Sequence, residues 1–342
     1  MTYSVTIEQA GKPIVVEIGQ TILEAAMGQG VPYPHGCRSG NCGACKSRLI
    51  SGDVELSPYS EFALTAEERQ MGLILACRAV PWEDAVVAWL GEDETVHHPN
   101  RRMRCRVAAL DDMTHDIKRI RLDIKDGGPF SFSPGQYCSV AFANLTPRDY
   151  SMANTPDGER IELHVRHVAD GASSAYVANQ LAVGEEVAVE GPFGTSWLRE
   201  AHRGTIYALA GGSGLAPIKS MVERALHLGM AQDIRLYFGV RDERDIYLED
   251  HFNQLCAGHT NLTFIPVLSE PTGKTRRRTG FLHHALAADI GELDGCKAYL
   301  AGPPPMVEAA TALLLKRGIR RADIHADAFY TEADKAGLEE TP

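Results

Sequence analysis

"PHGCRSGNCGACKSRL" (residues 34–49) sets three thiols within nine positions and interleaves them with Gly36, Gly40 and Gly43. Cys37, Cys42 and Cys45 form C-x4-C-x2-C, and Cys77 follows after 31 intervening residues. A loop that gathers thiols this densely must turn tightly around what they hold. Glycines, free in φ, allow the turn and let backbone N–H groups point inward.

Four thiolates complete the ligand set of a [2Fe–2S] cluster, and this is the plant-type spacing. A zinc site ordinarily offers two C-x2-C knuckles, and only one such pair is here. Around the loop the pattern is compact. YSVTI (3–7) and PIVVEI (13–18) read as a hairpin about Gly11, and TILEAAMGQG (21–30) as a helix with Thr21 and Glu24 at its start. KSRLISG and VVAWL (86–90) read as strands. Residues 1–93 resemble a plant-type ferredoxin domain. The resemblance implies a β-grasp fold with Cys37, Cys42, Cys45 and Cys77 as cluster ligands. The other cysteines, 105, 138, 256 and 296, read as core fillers.

The whole chain has 342 residues, more than one core usually serves, with 44% hydrophobic and 23% charged residues. No apolar run reaches the roughly 18 residues of a membrane span, and MTYSVTIEQAG lacks the basic-then-apolar start of a signal peptide. The expected compartment is the cytoplasm, where disulfides are rare. Net charge is −11, with no concentrated basic surface for nucleic acid. Twelve acidic and six basic residues in 1–93 give −6 there, leaving −5 for the other 249 residues. An acidic first module fits docking onto a basic surface, or simple solubility.

The polar stretch GEDETVHHPNRR (91–102) breaks the pattern, and residues 94–102 read as a linker. Residues 103–200 read as an antiparallel β-barrel of short strands between Gly, Pro and Asp turns. Residues 201–342 alternate apolar runs with helical stretches, the signature of an α/β parallel sheet.

Within the barrel region, PRDYSMAN carries Arg148-x-Tyr150-Ser151. An aromatic can stack on an isoalloxazine ring, a hydroxyl can bond near its reactive nitrogen, and an arginine can grip phosphate. LHVRHVADGASS ends in Gly171-x-x-Ser174, a helix start suited to a diphosphate, and GPFG follows at 191–194. Together these resemble the FAD domain of the ferredoxin–NADP reductase superfamily. The resemblance implies flavin contacts from Arg148, Tyr150, Ser151, His164, Val165 and Arg166, and diphosphate contacts from Gly171, Ser173 and Ser174. It makes Ser151 and Tyr150 the catalytic pair and favours FAD over FMN.

In ALAGGSGLAPIKSM, Gly211, Gly212, Ser213 and Gly214 join a strand to a helix, with Pro217 in its first turn. YFGVRDERDIY (237–247) and YLAGPPPMV (299–307) follow two later strands. They resemble the NAD(P) domain of the same superfamily, which implies a nicotinamide turn at Gly302, Pro303 and Met306 and ribose contacts near Arg241 and Asp242. Ala301 stands where most relatives have a cysteine. Asp242, Glu243 and Asp245 oppose a 2′-phosphate, while Arg241 and Arg244 could accept one. NADH is the expected donor, with NADPH use left open. The resemblance also makes Phe329, in IHADAFY (324–330), an aromatic that could cover the flavin.

NADH gives up two electrons as hydride and the cluster accepts one at a time, so a flavin between them converts one regime to the other. The chain resembles the reductase components of bacterial multicomponent oxygenases over nearly its whole length. THDIKRIRLDI and IHADAFY look like reductases of Rieske-type aromatic-ring dioxygenases of the naphthalene class. MTYSVTIEQ and AYLAGPPPM also look like reductases of diiron phenol hydroxylases. The implied partner is a terminal oxygenase or an intermediary ferredoxin, with no nucleic acid and no membrane. A standalone flavin, quinone or deoxysugar-pathway reductase is the rival reading.

Overall fold

The computed structural model describes all residues except 1, 37, 41–42, 61–62, 91–97, 157 and 332–342. Cys37 and Cys42 thus lie outside the described residues, as does the first part of the expected linker. Contacts divide the chain into two units, residues 1–95 together with 330–342, and residues 96–329.

In the first unit, β1 (Thr2–Ile7) and β2 (Pro13–Glu17) form the expected hairpin, turned by Gly11 at φ 68°. Helix α1 (Ile22–Gly28) starts at Thr21, whose hydroxyl accepts from the Glu24 amide while the Glu24 carboxylate accepts from the Thr21 amide. β3 (Lys46–Ser51), β4 (Val54–Leu56), α2 (Ala66–Gln70), β5 (Leu73–Leu75), β6 (Ala79–Pro81) and β7 (Ala85–Trp89) complete the unit. Among the described residues the main sheet runs β2-β1-β7-β3-β5, with β1 and β7 parallel, and β4 pairs with β6. This is the β-grasp arrangement. Its core packs Ile7, Ile14, Ile22, Leu23 and Leu75 between sheet and helix.

The second unit opens with β8 (Arg101–Asp112), which begins inside the stretch read as linker because Arg101 and Arg102 already pair with Gly191 and Glu190. β9 (Ile117–Asp126), β10 (Tyr137–Ala141), β11 (Arg148–Ser151), β12 (Arg160–Arg166), α3 (Ala172–Asn179) and β13 (Glu186–Phe193) follow. The sheet order is β11-β10-β13-β8-β9-β12, and a Met152–Leu163 bridge joins its two ends into a barrel.

From Ile206 the same unit becomes a parallel sheet: β14 (Ile206–Gly211), α4 (Leu215–His227), β15 (Ile234–Val240), α5 (Glu249–Gly258), β16 (Leu262–Leu268), β17 (Arg278–Thr279), α6 (Leu282–Asp289), β18 (Lys297–Gly302), α7 (Pro304–Lys316) and β19 (Ile324–Ala328). The order β17-β16-β15-β14-β18-β19 reverses direction between β14 and β18. In open α/β sheets ligands bind at the carboxyl ends of strands beside such a reversal. Ile117, at the start of β9, belongs to the core of this sheet rather than to that of the barrel. Among the described residues no helix is long and apolar enough to cross a membrane.

Candidate functional site

The glycine turn after β14 and the turn after β18 meet at the reversal. A Cβ on Gly302 would lie 2.9 Å from the Gly211 Cα, and one on Gly214 would lie 2.1 Å from the Ala301 carbonyl oxygen. Only glycine lets these turns approach so closely. Ala301 itself is buried, paired across the sheet with Ala210. Ser213 lies in the single 3-10 turn between β14 and α4. In front of the turns opens a cleft of about 150 Å³, lined by Gly211, Gly212, Arg166, Arg241, Phe281 and Met306 among others. Pro303 also lines it. Phe281 is 59% exposed and stacks on His283 at 5.8 Å, leaving a flat aromatic surface at the cleft for a planar base.

Two acidic and two basic side chains stand together in this cleft. Arg241 gives a forked bond to Asp245 (both contacts 3.1 Å) and a further bond from Nη2 to Asp116 Oδ2 at 3.0 Å. Arg166 Nε donates to the same Asp116 oxygen at 3.0 Å. Asp242, by contrast, turns its carboxylate away from the arginines, accepting from the Glu243 amide at 2.8 Å and the Thr272 hydroxyl at 2.7 Å. Glu243 pairs with Arg277.

In the barrel, β11 presents Arg148, Tyr150 and Ser151 in sequence, the first exposed, the second half-buried and the third buried. The Tyr150 ring packs edge-on against Phe142 at 5.9 Å, and burial pushes its phenol up to about 12, so it stays protonated. The Ser151 hydroxyl donates to Asp327 Oδ2 at 3.2 Å. Gly171 caps α3, and the Ala175 amide makes the helix's first bond, to the Gly171 carbonyl at 2.8 Å. The amides of Ala172, Ser173 and Ser174 therefore precede the intrahelical ladder, the position from which a helix start binds phosphate. A Cβ on Gly171 would strike Ser174 Oγ at 2.5 Å. The Ser174 hydroxyl is used inside the turn, donating to the Gly171 carbonyl at 2.9 Å, and Ser173 Oγ donates to the Thr146 carbonyl at 3.4 Å. The turn's offer to a diphosphate is thus its main chain. These donors and the open glycine cradle fit the FAD and pyridine nucleotide that the motifs imply.

His164 and Val165, expected as flavin contacts, have buried side chains. Val165 packs into the barrel core. The His164 ring is buried between Tyr247 OH and Glu162 Oε1, each at 3.2 Å. Burial lowers its pKa below the ordinary value despite the Glu162 bond, so the ring is neutral near pH 7. Any ligand contact at 164–165 falls to the main chain. Burial also pushes Glu162 up, but the His164 bond and Lys219 outweigh it and hold the carboxyl down at about 2. Lys219 reaches Glu162 at 3.4 Å and the Ala153 carbonyl at 3.0 Å, while Tyr247 OH donates to the Gly212 carbonyl at 3.4 Å. This buried chain ties the barrel to the glycine turn. Phe329 packs on the core of the parallel sheet, its amide donating to the Gly302 carbonyl at 2.9 Å.

In the first unit Cys45 and Cys77 are both buried, and the Cys77 amide points at the Cys45 sulfur at 3.5 Å. Gly40 and Gly43 take φ of 80° and 74°. Two buried thiols, an amide aimed at sulfur and left-handed glycines fit an iron–sulfur cluster.

The iron–sulfur family described as a 2Fe-2S iron-sulfur cluster binding domain matches residues 5–81. The oxidoreductase FAD-binding domain matches 104–197, and the oxidoreductase NAD-binding domain matches 208–312. A ferredoxin–NAD(P)(+) reductase component of naphthalene 1,2-dioxygenase/salicylate 5-hydroxylase systems from Ralstonia sp is 41% identical, covering 92% of this chain and 94% of that one. The chain belongs to the iron–sulfur flavoprotein reductases that serve multicomponent oxygenases. The reductase component of phenol 2-monooxygenase from Pseudomonas sp. (strain CF600) is 39% identical over 98% of this chain and 97% of its own length. The crystal structure of an Amycolatopsis cytochrome P450 reductase superposes with a TM-score of 0.79 at 35% identity, covering 96% of this chain and 99% of that one. The reductase is thus an NAD(P)H-dependent oxidoreductase whose modules fit electron transfer from NADH through FAD to a [2Fe–2S] cluster.

Sequence reasoning did not find Asp116, Tyr247, Lys219, Phe281 or Asp327. Asp116 had one local signal, the Thr-x-Asp turn in which Thr114 Oγ1 donates to its carboxylate at 2.9 Å. The others are recognisable only once distant strands meet.

Proposed function

We propose that this reductase delivers single electrons from its cluster to the terminal oxygenase of a Rieske-type aromatic-ring dioxygenase system, directly or through a separate ferredoxin. The observation that carries the reading is the 41% identity to the Ralstonia naphthalene/salicylate reductase component across nearly the whole of both chains. A diiron phenol-hydroxylase partner is the second reading, favoured by the 39% match to the phenol 2-monooxygenase reductase component.

The division into 1–93, 103–200 and 201–342 assigns one redox task to each module. Bound FAD would accept hydride and release electrons singly. This chain's residues hold the reactants. Gly211, Gly212, Ser213 and Gly214 admit the nucleotide, with Ala301, Gly302, Pro303 and Met306 beside its nicotinamide end. Tyr150 supplies a protonated aromatic face, and Arg148 grips phosphate. Asp327 fixes the Ser151 hydroxyl, which can hold a proton at the flavin edge. Cys37, Cys42, Cys45 and Cys77 ligate the cluster.

The test is NADH-dependent reduction of purified Rieske and diiron oxygenase components by the full chain. Faster reduction of the Rieske protein is expected. A preference for the diiron protein would install the second reading, and reduction of neither would favour a standalone reductase.

A further inference from the structure

Arg241 is the one arginine placed directly after β15 and facing the nucleotide cleft, where an adenosine ribose would lie under the reading above. A guanidinium there should attract the 2′-phosphate of NADPH. Three of its five donors are already committed. Nε and one Nη2 hydrogen serve Asp245, and the other Nη2 hydrogen serves Asp116. A guanidinium has five N–H donors in a fixed fork. Only the two on Nη1 lack a carboxylate here among these contacts.

Asp116 does not come from the nucleotide-binding sheet. It stands at the tip of the β8–β9 hairpin of the flavin barrel, 125 positions from Arg241. The tip is rigid. Thr114 Oγ1 accepts from the Asp116 and Ile117 amides at 3.2 and 3.0 Å, the Asp116 carbonyl accepts from the His167 amide at 2.7 Å, and Ile117 is sunk in the core of the sheet below. Asp116 is 17% exposed and Asp245 8%. With Arg166 and Arg241 they make two cations against two anions. His115 stands close by, its Nδ1 3.5 Å from Asp245 Oδ1. Three of these residues, His115, Asp116 and Asp245, sit close enough to suggest a cation site. The two guanidiniums already neutralise both carboxylates, so a cation has little to gain.

We infer that Asp116, reaching over from the flavin barrel, sets the nucleotide preference of the cleft by occupying Arg241 and cancelling its charge against a 2′-phosphate. Asp242 and Glu243, the acidic residues that the sequence offers as repellents, are turned to Thr272 and Arg277 instead. Asp116 is a specificity residue that acts through Arg241. The inference rests on the nucleotide placement proposed above.

Asp116→Asn removes one negative charge, and Asp116→Ser removes the charge and leaves only a short hydroxyl in place of the carboxylate. In the full chain loaded with flavin and cluster, either change raises the ratio of kcat/KM for NADPH over NADH about tenfold, the scale of one released charge-assisted hydrogen bond. Calorimetry with 2′,5′-ADP and 5′-ADP gives a readout independent of turnover. The 2′,5′-ADP Kd falls about tenfold relative to that of 5′-ADP. Adding Arg241→Ala to Asp116→Asn abolishes the gain. Retained flavin and cluster absorbance reports that each variant is folded, and the serine variant stands in should the asparagine one lose its flavin. Unchanged selectivity in a folded variant that still binds 5′-ADP overturns the role of Asp116. A gain that survives Arg241→Ala overturns the route through Arg241. Failure of the unaltered protein to bind either ADP overturns the nucleotide placement itself.

Discussion

The cysteine loop and the nucleotide cleft both depend on glycine, but they use it differently. In the loop, Gly40 and Gly43 hold left-handed φ, and a Cβ on either would meet Arg78 or the Ala63 carbonyl at 2.9 Å. Those glycines shape the loop that carries the proposed cluster ligands. In the cleft, Gly211, Gly214 and Gly302 let two strands that are far apart in sequence come together, and Gly212 meets only Arg166 within 3.1 Å. One site draws three of its four expected ligands from nine consecutive positions and adds Cys77 from farther along, and the other is assembled wholly from strands distant in sequence. A local site fails when one ligand goes, whereas an assembled one degrades by steps.

That contrast is sharpest in Cys77→Ala. The visible absorption of the cluster is lost entirely, while NADH still bleaches the flavin; loss of the flavin response as well would mean the two sites are not separable. Next in size, Ser151→Ala slows flavin reduction by NADH about a hundredfold in stopped flow, the usual scale for removing one donor that acts in the transition state. FAD stays bound; release of FAD would make the hydroxyl structural. Gly212→Val raises the KM for NADH about tenfold, since a branched residue at φ 55° both strains the turn and fills the cradle. An unchanged KM would put the nucleotide elsewhere.

The smallest expected effect lies in the buried chain that joins barrel and sheet. The Glu162 carboxyl falls from 4.5 to about 2 on folding. A depressed carboxyl stabilises the fold in full above 4.5, and that contribution is lost as pH drops toward 2. Glu162→Gln therefore lowers the Tm near neutral pH by about 3 °C, and the gap from the unaltered protein narrows on acidification below 4.5. A gap that widens in acid would contradict the pairing with His164 and Lys219.

The same contrast decides what could be read in advance. The hairpin about Gly11, the Thr21–Glu24 cap and the change from antiparallel to parallel patterning are short-range features, and each lies where the residues place it. Helix α2 escaped because five residues are too few to show a period, although Thr65 and Glu68 form a capping box at its start. The partners of His164 escaped for another reason. Strand alternation shows that His164 faces away from Val165, but not that Tyr247 and Glu162 wait on that side. Asp116 and Arg241 are joined only by the docking of a barrel hairpin on a sheet, which no local pattern encodes.

The most direct measurement is the visible spectrum of the anaerobic protein before and after stoichiometric NADH. Loss of the flavin band together with the broader iron–sulfur absorption is the predicted result, because donor site, flavin site and cluster belong to one chain of electron transfer. A flavin that bleaches while the cluster stays oxidised would contradict that chain and leave the molecule a flavin reductase with an idle iron–sulfur domain.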